Sequence, residues 1–341
     1  LISFRKIKII DCTLRDGGYY NDWNFSKKLI QDYIHQISKT NICYIELGFR
    51  LFKKKKLLGL TAYTEDKLIN TLNIPNNLNI GIMINAGELI KKNSDFFDSK
   101  KRKENTLSNL KKLFPSINKK IKFVRFACHF EEVFFLKSSI SWLKKNKIEV
   151  FINIMQSSEI NLQNIKKISL FLKNTGIKSL YIADSLGALK ATSLLKIIKK
   201  FKQYWLGEMG LHAHNNLNLA LNNSITALKN NVNWIDSTIL GMGRGPGNLT
   251  TEGIFKFLNY KNNSINHLKD NYFNQLKKKY KWGPNKYYRL AAVNKIHPSY
   301  IQEILVTKKL PSKNYIKIIN NLKKMGAKKY EVAKLLSASL I

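Results

Sequence analysis

A (β/α)8 TIM barrel with an α-helical C-terminal extension is the fold this sequence predicts, on three observations. Eight apolar runs rich in β-formers recur along the chain up to residue 241. Stretches with the i, i+3, i+4 spacing of helices lie between them, which argues for a parallel sheet. After residue 253 the strand pattern stops and helical spacing continues to the end. The 341 residues exceed the roughly 250 that one such barrel needs, leaving room for an appendage.

In chain order the predicted strands are 7–14, 43–49, 79–85, 122–128, 149–155, 179–185, 207–214 and 234–241. Helical spacing is clearest at 26–39, 106–114, 162–173, 192–204 and 217–230. Residues 52–60 read as a basic loop after the second strand. The barrel is therefore expected over 1–253 and the helical region over 254–341, with breaks at Trp282-Gly283-Pro284 and His297-Pro298.

Composition sets the class. An apolar fraction of 44% allows a large core. No run of about 18 apolar residues occurs, so no membrane span is expected. Residues 1–6 lack the apolar core of a signal peptide, so a cytoplasmic location is expected. Cys12, Cys43 and Cys128 are far apart and form no metal-site spacing, which suits buried, reduced thiols. The net charge of +37 is carried almost wholly by lysines dispersed along the chain. Lys, Asn and Ile are abundant together and share AT-rich codons. Genome composition, rather than specific nucleic-acid binding, is the expected cause.

Against that background arginine is informative, because only seven occur. Arg15, Arg50, Arg125 and Arg244 lie in or just after four different predicted strands. Where Lys is acceptable almost everywhere, a retained guanidinium suggests a need for its planar, bidentate fork.

Three segments carry chemistry. Strand 1 ends in Asp11-Cys12-Thr13-Leu14-Arg15-Asp16-Gly17-Gly18, expected to form a loop at the C-terminal mouth of the barrel, where this fold keeps its catalytic groups. Strand 7 ends in Gly210-Leu211-His212-Ala213-His214-Asn215-Asn216. Residues i and i+2 of a strand share a face, so His212 and His214 project together, as metal ligands do. Strands 1 and 7 are separated only by strand 8, so Asp16 can complete a two-histidine, one-carboxylate set. Mn²⁺, Mg²⁺, Co²⁺, Zn²⁺ and Fe²⁺ all suit it. Strand 8 leads into Gly241-Met242-Gly243-Arg244-Gly245-Pro246-Gly247-Asn248, a glycine-rich loop where such barrels bind anions, with Asn248 a further ligand candidate.

These three segments, in this order and on these strands, resemble the DRE-TIM metallolyases. That family includes 4-hydroxy-2-oxovalerate aldolase, hydroxymethylglutaryl-CoA lyase, isopropylmalate synthase and homocitrate synthase. The resemblance runs from about residue 7 to residue 253. It is supported by Tyr44-Ile45-Glu46-Leu47-Gly48, Val124-Arg125-Phe126-Ala127-Cys128-His129 and Ala183-Asp184-Ser185, the last two closest to the aldolase branch. It implies that Asp16, His212 and His214 bind the metal with Asn248 nearby, that Arg15 stabilises an enolate, and that Glu46 belongs to the polar mouth. Arg50, Arg125, Ser185 and Arg244 are the substrate-binding candidates. One departure stands out. The family aldolases carry a catalytic histidine three residues after the ligand Asp, and here that position is Tyr19.

The expected reaction is cleavage or formation of a C–C bond through a pyruvate-type enolate, on a 4-hydroxy-2-oxo acid. The expected cofactor is a divalent metal, with manganese preferred over Mg, Co or Zn. Tyr19, Glu46 and His129 are the acid–base candidates, in that order. A Claisen-type acyltransferase condensing acetyl-CoA with a 2-oxo acid is the rival enzyme. A non-catalytic binding module for a partner enzyme or polyanion is the rival of another class. The family also implies an aldehyde-processing partner enzyme or a homo-oligomer.

Overall fold

The computed structural model describes residues 7–90, 99–307 and 311–340. The opening residues 1–6, on which the signal-peptide reading rests, lie outside it, as do residues 308–310 and 341 of the predicted helical region.

Eight parallel strands close into a barrel in sequence order. They are β1 (Lys8–Asp11), β2 (Tyr44–Phe49), β3 (Asn79–Asn85), β4 (Ile121–Cys128), β5 (Glu149–Ile154), β6 (Ser179–Asp184), β7 (Glu208–Ala213) and β8 (Trp234–Ser237). β8 closes on β1 with Ile9 opposite Ile235 and Ile10 opposite Asp236. The predicted (β/α)8 barrel with C-terminal helices is thus the observed architecture.

The helices form the outer ring. Lys27–Ile37 shows why: Leu29, Ile30, Tyr33, Ile34 and Ile37 fall on one stripe and are buried, and the Ser26 side chain caps the start by accepting from the Leu29 N–H at 3.1 Å. Each such buried side chain contributes roughly 1.5–3 kcal/mol.

Inside the barrel the side chains lie in layers, because residues two apart on a strand point the same way. Ile10, Phe123, Phe151, Tyr181 and Trp234, with Tyr44 against them, make an aromatic plug in its lower half. Two residues further along β2, β4 and β8 stand Glu46, Arg125 and Asp236, all buried. An ionic layer therefore rests on the aromatic one and faces the C-terminal mouth.

One expectation is corrected. Residues 11–18 are no loop: β1 stops at Asp11, and Thr13–Asn21 is a helix carrying Arg15 and Asp16 in its first turns. Residue 253, where the barrel region was expected to end, lies within the helix Thr251–Leu258. Ile265, Leu268, Phe273 and Trp282 still pack into the barrel's core, and a separate apolar cluster begins only at Tyr288. The described residues beyond 258 contain helices and no strand. No helix is long and apolar enough to cross a membrane. All three cysteines are free, Cys12 and Cys128 fully buried.

Candidate active site and metal centre

The helix Thr13–Asn21 can begin directly at the strand end because two glycines let it lie flat. A Cβ on Gly18 would stand 2.1 Å from the Trp23 ring. The Trp23 indole N–H in turn donates to the Arg15 carbonyl at 2.7 Å, which fixes the turn that carries Arg15 and Asp16. The loop after β8 approaches as closely. At Gly243 a Cβ would meet the Asn248 amide at 2.6 Å and an Asp16 carboxylate oxygen at 2.9 Å.

Asp16, His212 and His214 each offer a ligand atom, all within 4.8 Å of one another, and all three are buried. His212 reaches Asp236 through Nδ1 at 2.8 Å, so its proton sits there and its Nε2 lone pair faces Asp16 Oδ2 at 3.6 Å. Burial, then Arg244, pushes the His214 imidazole well below its ordinary range and keeps it neutral, as a ligand must be. Burial pushes the Asp16 carboxyl up, but the Arg15 guanidinium and the Asn248 amide N–H outweigh it and hold it well below the usual carboxylate range.

A divalent ion fits this set on the chain's own evidence. The Asn248 Oδ1 and His214 Nδ1 atoms are buried with no hydrogen-bond partner, a costly state that a cation would relieve at the amide oxygen. Asn248 Nδ2 donates to Asp16 Oδ2, so Oδ1 is the atom left over. The surrounding ions form a ring. Asp16 pairs with Arg15 at 2.7 Å, Arg15 with Glu46 at 2.9 Å, Glu46 with Arg125 at 3.1 Å, and Arg125 grips Asp236 with both terminal nitrogens. Asp236 returns to His212. Within this ring three carboxylates face two guanidiniums, and Arg244 approaches from outside it at His214.

The predicted residues divide into two groups. Asp16, His212, His214, Asn248, Arg15, Glu46, Tyr19, Ser185 and Arg244 converge on the mouth. Arg15 is 3% exposed, and its NH2 is buried without a partner, a donor held ready for an oxyanion. Glu46, expected as an acid–base candidate, holds Arg15 and Arg125 at its two oxygens. Tyr19 stacks edge-on against Trp23 at 4.8 Å, and burial pushes its phenol up, with Arg244 pulling the other way. Arg244 donates to the Ser185 carbonyl at 3.0 Å, while the Ser185 hydroxyl accepts from the Gln156 N–H at 3.1 Å.

Arg50 and Arg125 are bound up in the fold instead. Arg50 donates to the Leu113 and Thr64 carbonyls and to Asp66 at 2.7 Å. Arg125 is fully buried beneath the mouth between Asp236 and Glu46, over the Tyr181 ring at 4.3 Å. Their guanidiniums are answered by carboxylates of the chain itself. His129 follows β4, and its N–H donates to Glu132 at 2.8 Å.

Sequence reasoning missed Asp236 and His297. The i+2 step from Trp234 along β8 could have placed Asp236 in the interior. His297 comes from the C-terminal region, and its Nε2 lies 3.1 Å from Arg244. Gln302, also from that region, accepts from the Gly245 N–H at 2.7 Å and donates to the Tyr19 carbonyl at 2.8 Å.

The chain resembles several known proteins. It is 26% identical over 251 residues to 4-hydroxy-2-oxovalerate aldolase 2 of Rhodococcus jostii (strain RHA1), covering 73% of this chain and 68% of that one. It is 24% identical over 253 residues to 4-hydroxy-2-oxovalerate aldolase of Geobacillus thermodenitrificans, covering 73% and 68%. Among solved structures, the N-terminal domain of a provisionally assigned aldolase from Bacteroides vulgatus superposes with a TM-score of 0.72 at 29% identity, over 91% of this chain and 99% of that one. The HMG-CoA lyase of Bacillus subtilis shares the fold, with a TM-score of 0.62 at 16% identity over 84% and 97%. The HMGL-like family model matches residues 6–272, the whole barrel and the first helices beyond it, and this chain is a member of that family.

Proposed function

We propose that the protein is a divalent-metal-dependent aldolase that cleaves or forms the C3–C4 bond of a 4-hydroxy-2-oxo acid. The observation that carries this reading is the buried set of Asp16, His212 and His214, with the open NH2 of Arg15 beside it. Relatives named 4-hydroxy-2-oxovalerate aldolase support the substrate class.

Asp16, His212 and His214 would hold the ion, with Asn248 Oδ1 alongside. Bound there, a divalent ion supplies Lewis acidity to the carbonyl of a 2-oxo acid. Two imidazoles, a carboxylate and an amide oxygen suit Mn²⁺ as first choice, then Mg²⁺, Co²⁺ or Zn²⁺.

The chain's own groups do the rest. Arg15 is fixed by Asp16 and Glu46 at NH1 and Nε, so NH2 is the donor aimed at the enolate oxygen as charge develops. Glu46 and Arg125 hold that geometry from below. Asp236 keeps the His212 proton on Nδ1. Tyr19 carries the proton of the 4-hydroxyl; its buried phenol is protonated at rest and donates in the condensation direction. A cytoplasmic enzyme that passes its aldehyde to a partner fits this reading.

The test is metal content together with exchange of pyruvate methyl protons in D₂O. The purified protein should hold about one divalent ion per chain and exchange pyruvate, and Asp16→Asn and His212→Ala should lose both. Unchanged metal content in both variants would sink the assignment.

A further inference from the structure

The four arginines at the strand ends differ in one respect. Arg15 is answered by Asp16 and Glu46, Arg50 by Asp66, and Arg125 by Asp236 and Glu46. Among the described residues, no carboxylate pairs with Arg244. Its guanidinium meets only neutral acceptors: the Ser185 carbonyl at 3.0 Å, His297 Nε2 at 3.1 Å and His214 Nε2 at 3.5 Å. Arginine can only donate, so His297 can meet it at Nε2 only as an acceptor. The Nε of Arg244 is buried with no partner at all. A cation drawn into a polar mouth without a counter-charge is costly unless an anion arrives to meet it.

Arg244 is also held in place. The Tyr19 ring lies under its guanidinium at 5.7 Å. Gln302 ties the neighbouring Gly245 to the backbone of Tyr19. A guanidinium fixed on several sides loses little freedom when it binds, which favours a planar carboxylate.

We propose that Arg244 is the clamp for a carboxylate on the departing half of the substrate, so that the natural substrate is a dicarboxylic 4-hydroxy-2-oxo acid. This rests on the aldolase reading above. In that reading the metal ligands and Arg15 serve the pyruvate half, which leaves Arg244, beside His214, for the other half. In the reaction the C3–C4 bond breaks and its electron pair stays on C3. C4 becomes a carbonyl as its hydroxyl proton passes to the Tyr19 oxygen while the phenol gives up its own proton, and C3 gains one proton to give pyruvate, so that Tyr19 ends as it began, protonated. The second product is an anionic 2-oxo acid in place of a neutral aldehyde. No oxidant or reductant is needed.

The experiment uses the metal-loaded full chain. Two probes are compared: 4-hydroxy-2-oxopentanoate, and 4-hydroxy-2-oxopentanedioate, which bears a carboxylate in place of the methyl. Pyruvate exchange in D₂O is followed in parallel. Wild type should prefer the diacid in kcat/KM by on the order of 10², the scale of discrimination of a site built around a polar partner. In Arg244→Gln that ratio should collapse toward one, whatever the absolute rates, and Arg244→Lys should recover only part of it. Wild-type preference for the monoacid overturns the proposal without any variant. So does an unchanged ratio in Arg244→Gln, or a loss of exchange as large as the loss of diacid cleavage, which would put Arg244 on the pyruvate carboxylate. Absence of exchange in wild type is a different result: it removes the enolate reading itself.

Discussion

At the residue scale the chemistry turns on which donor is free. Arg15 has one open nitrogen, and losing a single oxyanion donor typically costs about 10²–10³ in rate. Arg15→Ala is expected to keep its metal and lose pyruvate exchange by about that factor. Arg15→Lys should also be poor, because a compact ammonium cannot reproduce the planar fork that spans Asp16 and Glu46. Tyr19→Phe should part the half-reactions, keeping pyruvate exchange and failing to cleave the whole substrate. Normal cleavage by that variant would pass the proton role to His297 or His129. Asp236 acts at one remove. Asp236→Asn would free the His212 tautomer and leave Arg125 short of a charge, and a loss of metal affinity of 10–100-fold is expected by titration. These roles were unevenly legible. That His212 and His214 share a face could be read from strand periodicity, and Asp16 was brought to them by the order of strands in a barrel. The scarcity of arginine marked four places where a fork is needed, but a fork that grips Asp66 looks, in sequence, like one that awaits substrate. Only the fold separates Arg50 and Arg125 from Arg15 and Arg244.

At the scale of elements, the strands were legible and their ends were not. The predicted strand 7–14 shortens to Lys8–Asp11 and 234–241 to Trp234–Ser237, because apolar residues continue past the point where the backbone leaves the sheet. Arg-Asp-Gly-Gly has the composition of a turn, and glycine is a poor helix former. It is helical here because Trp23 packs where a side chain would be, a contact no local rule anticipates. The C-terminal helices were expected as an appendage, yet they supply His297 and Gln302 to the mouth. Their docking has a pH signature. Glu159, just after β5, meets Lys295 at 2.9 Å and also Lys328, both from the C-terminal region. Burial raises its carboxyl, but the two lysines outweigh that and lower it below the ordinary glutamate value. A depressed carboxyl stabilises the fold above its unfolded range, and the gain disappears as pH falls through the folded value. Both lysines are about half exposed, so the gain is modest, up to about 1 kcal/mol. Glu159→Gln should therefore be slightly less stable in denaturant titrations at neutral pH and indistinguishable from wild type at about pH 3. A difference that persists at low pH would show that the loss is one of packing.

At the scale of the whole molecule, the question is what a net charge of +37 is for. A nucleic-acid surface concentrates its cations on one face, with aromatic groups between them for stacking. Here the lysines lie on many helices around the barrel: Lys27–Ile37, Ala191–Lys202, Asn274–Tyr280 and Tyr315–Lys324 all carry them. The cations that matter to the site are arginines, buried and directed by neighbouring residues. Dispersed charge still attracts any polyanion, but through counterion release alone, so binding should fall steeply with salt and ignore sequence. Fluorescence anisotropy with duplex and single-stranded oligonucleotides is expected to show weak complexes at low salt that dissolve at physiological ionic strength. Pyruvate exchange should be unaffected by saturating oligonucleotide at that ionic strength, since the open donor of Arg15 is buried at the mouth. A sequence-selective complex tighter than about 10⁻⁸ M at physiological salt would mean that the charge serves recognition, and the barrel would then have two functions to reconcile on one surface.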